Sequence, residues 1–311
     1  MSKLFAALLL VSGLSFTVHA QDANESSIKA SDVTGEKNTT PGQDIDETIT
    51  NKKMRAETGS KSKWSISSQL NYIGGSIEKP LSEDRPNIAG ANGTTDASLI
   101  GGQVSGKYNL SSSNSLMAGV GVRWISPFQA KPSGYQGDRV DADNPYLIYQ
   151  HLYKWKGIQS ALQINPVFYT QSNLRAQGWL ASVAVAQNNI YEIGHSGVSL
   201  GLYLLAQGAV FDKNGADVKP DQSDFVVNFD PFIEYQLTEN INLRTVTNLW
   251  NYEHARSAPG STYIFDKVYQ SIGVGYAMTR DIYLYPNLQF LPDDIRSDRT
   301  NVALNTYINV F

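Results

Sequence analysis

The chain contains no cysteine. That excludes disulfides, thiolate metal sites, cysteine nucleophiles and a lipid-modified cysteine behind an export signal. Charge is scarce too: Asp, Glu, Lys and Arg make up 17% of the residues, with 25 basic side chains against 29 acidic ones. So balanced a chain argues against a polyanion partner such as nucleic acid. After the first twenty residues, no apolar run approaches the roughly eighteen residues that a membrane helix needs. Residues 21–63 lack aromatics altogether. What the chain has in quantity is tyrosine (17), glycine (25) and asparagine, a composition of strands and turns.

Residues 1–20 read as a signal peptide. Lys3 gives the positive start, Leu4 to Val11 the apolar stretch, and Val18-His19-Ala20 the small residues of a cleavage site before Gln21. Residues 21–63 then form a polar segment rich in Asp, Glu, Lys, Asn, Ser and Thr. It buries too little apolar area to offset its ordering entropy and is expected to be a disordered tail. A plug or a periplasmic tether is the alternative role for it.

At Trp64 the texture changes to period-two alternation, the mark of strands with one apolar face. In "DFVVNFDPFIEYQL", Phe225, Val227, Phe229, Pro231, Ile233, Tyr235 and Leu237 share one face. Asp224, Asn228, Asp230, Glu234 and Gln236 share the other, with Val226 and Phe232 as exceptions. Twelve such segments are expected near 63–76, 97–111, 114–128, 144–155, 157–171, 178–193, 197–212, 223–238, 240–253, 262–279, 281–291 and 300–311. Short turns and longer polar loops alternate between them. Many strands are far longer than the five or six residues usual in globular sheets.

That pattern predicts an all-β fold: a single antiparallel up-and-down barrel over residues 64–311, with both termini on the short-turn side. Closure removes sheet edges. An aliphatic exterior and a polar interior suit a bilayer. The polar phase supplies the lumen candidates Lys107, Arg123, Asp224, Asn228, Asp230, Glu234, Arg244 and Lys267, joined by Tyr269 and Tyr283. Aromatics near strand ends, among them Trp64, Tyr108, Trp124, Trp155, Trp179, Tyr235 and Tyr276, fit interfacial girdles.

Taken together, the signal, the twelve alternating strands, the loop asymmetry and the terminal Phe311 resemble a Gram-negative outer-membrane β-barrel protein of the porin or channel kind. The resemblance is architectural and covers Trp64 to Phe311. It implies residence in the outer membrane, contact with its lipid and lipopolysaccharide, and delivery by the barrel-assembly machinery. It also implies an insertion signal in the last strand, where Phe311 and Tyr307 are in phase. Asn309 and Asn305 occupy positions usually apolar in that class, and Val310, Ile308, Leu304 and Val302 form the opposite phase.

Catalytic motifs are weak. "GVSLG" around Ser199 matches a nucleophile elbow, but that motif needs a strand, a sharp turn and a helix, and here it opens a long strand. His151, His195 and His254 have no second histidine at metal-ligand spacing. No catalytic residue, metal or cofactor is expected. Pro166, Pro231 and Pro286 fall in the lipid-facing phase of their strands, where local bulges or kinks are expected. A lumen of amides, tyrosines, small residues and mixed charge suits a narrow channel for small polar solutes. The alternatives are a closed structural or adhesive barrel that binds lipopolysaccharide or another surface through its loops, and an outer-membrane lipid hydrolase.

Overall fold

The computed structural model describes residues 45–89, 94–130, 138–212, 223–255, 263–265 and 267–311. The expected signal peptide and residues 21–44 of the expected tail lie outside these.

Twelve antiparallel strands form one closed up-and-down sheet. They are β1 (Trp64–Ser76), β2 (Leu99–Asn109), β3 (Asn114–Ile125), β4 (Val140–Trp155), β5 (Ile158–Phe168) and β6 (Trp179–Glu192), followed by β7 (Val198–Phe211) and β8 (Ser223–Gln236). β9 comes in two pieces, Ile241–Asn248 and Trp250–Ala255, as does β10, Tyr263–Phe265 and Tyr269–Thr279. β11 (Ile282–Phe290) and β12 (Asn301–Val310) complete the set. Each strand pairs with its neighbours in sequence, and β12 returns to β1 with Ile66 opposite Val310 and Asn71 opposite Asn305. The expected boundaries hold to within a few residues.

Alternation fixes the two faces. Outward positions carry exposed Val183, Val185, Leu200, Ile233, Leu243 and Ile272, a largely aliphatic band. Exposed Trp64, Trp155, Tyr191, Tyr235 and Tyr276 cluster at the short-turn end, where an aromatic girdle belongs. Trp179 departs from that expectation. A register shift between Trp179 and Ala181 turns its indole inward against Tyr169 (ring centroids 5.1 Å apart) and Phe211 (4.5 Å).

The strand prolines act more locally than expected. Proline has no N–H to donate, so the ladder can lapse on one side of it. On the other side the register runs unbroken through Pro166 opposite Val183 and Pro231 opposite Leu202. Facing Pro166, no pairs form between Tyr146–Val167 and Tyr149–Ile164. Facing Pro231, β9 is interrupted at Leu249, and one extra residue is accommodated between the pairs Phe229–Trp250 and Phe232–Val246. Only this last gap is a true bulge.

Residues 45–63, expected to continue the polar tail, include two helices: α1 (Ile45–Thr48) and α2 (Lys52–Thr58). A third short helix, α3 (Ser172–Ala176), lies in the loop between β5 and β6. No helix among the described residues is long and apolar enough to cross a membrane.

Candidate functional site

The lumen is where the chemistry-bearing side chains converge, and α1–α2 stands inside it. Helices of this length do not hold in water alone. Two local devices shape α2. The Asn51 side chain accepts the Met54 N–H at 3.2 Å as an N-cap. At the other end Gly59 takes φ +86, with the Lys107 side chain so close that a Cβ would lie 2.8 Å from its Cδ. The remaining stabilisation comes from the barrel wall.

That wall offers an apolar seat. Ile49 and Met54, both wholly buried, pack on Leu152, Ala161, Ile190 and Phe232, with Ile45 and Val246 at the margin. These wall residues come from the inward positions of β4, β5, β6, β8 and β9. Phe232, an exception in the sequence alternation, thus faces inward for a reason. The outer edge of its ring covers Gly201 of β7, where any Cβ would overlap it, and it supports both Met54 and Arg244.

Polar pins surround the seat. The Gln159 carbonyl oxygen accepts the N–H groups of Thr50 (2.9 Å) and Asn51 (3.1 Å), while Thr50 Oγ1 donates to Glu192 Oε1 (2.7 Å). Asn309 Nδ2 donates to Ala56 O (2.5 Å), Lys107 Nζ to Thr58 O and Arg280 Nη1 to Gly59 O (3.0 Å). Asn109 Nδ2 holds Ser62 O at 2.7 Å. The segment is therefore bound from β2, β5, β6, β12 and the β10–β11 turn, at the mouth that carries both strand termini.

The expected lumen residues divide into groups. Glu234 and Arg244 form a buried ion pair, and the Arg244 guanidinium sits 3.9 Å from the Phe232 ring centroid. Lys53 brings a second buried charge from α2, 3.3 Å from Glu57 and 4.3 Å above the Tyr307 ring. Tyr283, buried, donates to Asn242 Oδ1 at 3.2 Å, and Asp230 accepts from Asn248 at 2.8 Å. Asn228 is buried nearby on the same strand face. Lys107 belongs with the plug contacts. Arg123 lies towards the other mouth, 3.3 Å from both Asp141 and Asp143.

Asp224 stands at the outer end of β8, 2.6 Å from His254 Nδ1. Lys267 does not sit on a regular strand. It is an exposed residue in the break within β10, its backbone N–H bonded to Ala89 O at 3.1 Å. Tyr269 begins the second piece of β10 and lies near Arg85. Tyr307 faces the lumen, as do Asn305 and Asn309, so the apolar phase of β12 towards lipid is Val302, Leu304, Ile308 and Val310. Phe311 follows the strand, exposed. Ser199 lies within β7 opposite Glu192 and Glu234, with no elbow formed.

The outer mouth is also narrowed. The loop after β1 carries a two-stranded ribbon, Arg85–Pro86 with Thr95–Asp96. It is drawn in by Arg85 donating to Gly74 O (3.2 Å) and Gln289 Oε1, and by Asn301 Nδ2 donating to Pro86 O (2.8 Å). Burial pushes the Arg85 pKa down to about 10, opposed by Tyr269, Asp96 and Tyr72. Between the two closures lies a small, partly open cavity of about 50 Å³. Its wall includes Gln69, Gln103, Gln163 and Asn165, with Ala56 and Glu57 of α2 as part of its boundary.

At the opposite face of the plug, Asp46 in α1 lies among cations. Arg280 Nη2 is 2.9 Å away, Lys61 Nζ 2.7 Å and Arg55 Nε 3.7 Å. Burial alone would raise its carboxyl pKa, but hydrogen bonds from Arg280 and Lys61 and the charges of Arg280 and Arg55 outweigh it, so the pKa falls below the usual value. In the sequence a plug stood only as the alternative to a disordered tail. Its signal was the spacing of Ile45, Ile49 and Met54 with Asn51 as cap, too sparse to stand out in a polar segment.

No protein-family model and no curated protein matches the sequence. Solved structures resemble the fold. The COG4313 outer membrane channel from Pseudomonas putida F1 is 11% identical, over 81% of this chain and 96% of that one, with a TM-score of 0.48. The KdgM porin in complex with disordered oligogalacturonate is 8% identical over 79% and 96%, with a TM-score of 0.40. The NanC porin is 10% identical over 78% and 96%, also at 0.40. Likenesses this distant concern barrel architecture and say nothing of what this lumen accepts.

Proposed function

We propose that the protein is an outer-membrane channel for small polar solutes, exported by a cleaved signal peptide and closed in this state by its own N-terminal segment. One observation carries the reading. The periplasmic obstruction is no part of the barrel wall: it is a separate helical segment seated inside an otherwise complete, polar-lined cylinder. A barrel of this strand number lies between those filled by their own side chains and those with wide aqueous pores, so what stands inside it decides whether it conducts. Amide and hydroxyl groups along the chamber offer hydrogen bonds to uncharged polar solutes.

Lipid and lipopolysaccharide cover the aliphatic band in this proposal, and the barrel-assembly machinery reads the last strand before it folds. Phe311 stays accessible afterwards, whereas Tyr307 is then covered by Lys53. The test is electrical. Protein reconstituted in planar bilayers should show long closed periods broken by discrete conductance steps, and steps of the same size should become frequent when the plug is weakened. A folded barrel that never conducts, even with its plug displaced, would instead support the closed structural or adhesive barrel. The narrowing at both mouths is the feature that favours that alternative.

A further inference from the structure

Besides its polar pins, the plug is fastened by an apolar and a charged contact that sit at different places. The apolar seat of Ile49 and Met54 is deep in the lumen. The charged contact is at the rim, where the chain enters. There, one barrel residue, Arg280 of the β10–β11 turn, reaches both ends of the plug. Its Nη2 lies 2.9 Å from Asp46 Oδ1 and its Nε 3.1 Å from Oδ2, a two-toothed grip on the first turn of α1. Its Nη1 donates to Gly59 O at the end of α2, and also to Asp281 Oδ1 at 2.8 Å. The same Asp46 binds Lys61 beyond α2, and Arg55 Nη2 donates to the Asp46 carbonyl at 2.7 Å. The carboxylate therefore ties the entry of the plug, its exit and the barrel rim together.

We infer that Asp46 is the latch of this channel: its grip on Arg280 holds the N-terminal segment in the lumen, and breaking that grip releases the segment and opens the periplasmic mouth. The inference rests on the channel reading for its second half and on geometry alone for its first. The latch is the contact placed to yield first. Its side chain keeps 12% of its surface exposed at the rim, whereas Ile49 and Met54 are wholly enclosed. A proton, a competing anion or tension on the preceding chain reaches Asp46 before the enclosed seat of Ile49 and Met54. The charged groups around it are Arg280 and Asp281 from the turn, Arg55 from α2 and Lys61 after it. Lys107 of β2 adds a further positive charge beside Arg280.

The experiment uses the full chain in lipid vesicles and planar bilayers. Because the protein lacks cysteine, Thr58→Cys puts a single thiol at a position now buried, and a membrane-impermeant maleimide reports undocking. Asp46→Asn in that background should raise the labelling rate about ten- to hundredfold, the range expected for losing charge-assisted hydrogen bonds. Arg280→Gln should do the same, and the double variant should add little because both remove one contact. Arg296→Gln, which removes a similar charge from an exposed loop pair at the other mouth, should leave labelling unchanged.

Acid gives an independent arm. The Asp46 pKa is depressed when docked, so its contribution is complete above the ordinary carboxylate value and is lost as pH falls through the docked value. Labelling in this arm uses a charged pyridyl disulfide, which unlike maleimide reacts with thiols in acid, and its rate relative to a free thiol should rise on strong acidification in the parent and not in Asp46→Asn. Unchanged labelling in both Asp46→Asn and Arg280→Gln overturns the latch, whatever the conductance. Faster labelling with no conductance upholds the latch and refutes the channel reading.

Discussion

Ile49→Ala is the sharpest probe of whether the plug is held by its apolar seat. Ile49 is fully buried between α1 and α2 against Leu152, Ala161, Ile190 and Phe232. The substitution removes three carbons from that contact. At about 0.8 kcal/mol per buried methylene the loss is about 2.4 kcal/mol, or about sixtyfold in the docking equilibrium. It falls on docking rather than on the barrel, because Ile49 belongs to no strand and pairs with none. Open probability in planar bilayers should rise by about that factor, with the conductance of each step unchanged. Resistance of the barrel to heat in detergent, read by gel mobility, should stay near the parent value. Met54→Ala should behave alike. An open probability within a few-fold of the parent, in a protein shown to be folded, would refute the idea that this seat keeps the mouth closed.

Other outcomes follow from single contacts. Arg244→Met leaves Glu234 buried without its partner and should cost about 3–5 kcal/mol of stability, measured by urea unfolding in vesicles; Glu234→Gln added to it should restore a large part. Arg123→Gln frees Asp141 and Asp143 from the cation 3.3 Å away, so reversal potentials should shift towards cation preference. Gly201→Val would drive a side chain into the Phe232 ring and displace the support of both Met54 and Arg244; it should raise open probability and lower heat resistance together. Deleting Phe311, which is exposed beyond β12, should slow assembly into the membrane, measured by pulse-chase, while the barrel that does form keeps its heat resistance.

The barrel was legible because its information is local and repeated. Each strand states its own two faces, and twelve statements agree. Even the exceptions were present, for Val226 and Phe232 broke the alternation of β8 in plain view. Their meaning was not legible, because an inward apolar residue gains its reason only from what stands opposite it. Ile49 and Met54 lie about a hundred residues or more from Leu152 and Phe232, in a segment whose helical pieces hold only against the wall. Trp179 was misplaced for a similar reason: one register shift reverses a side chain, and nothing in the neighbouring residues announces it. The lumen charges could be named from their phase. Their pairing into Glu234–Arg244 and Arg123–Asp141–Asp143 required the register between strands.

The plug also lies across the seam where the sheet closes. Its Ala56 carbonyl is held by Asn309 of the final strand, and its Thr58 carbonyl by Lys107 of β2, on the two sides of β1. Residue 309 is synthesised 253 residues after residue 56. Until β12 has taken its place beside β1, the Asn309 contact of this binding site does not exist. Full docking therefore inspects the finished cylinder: a barrel that closes in the wrong register presents the wrong side chain to Ala56 and keeps its mouth unsealed.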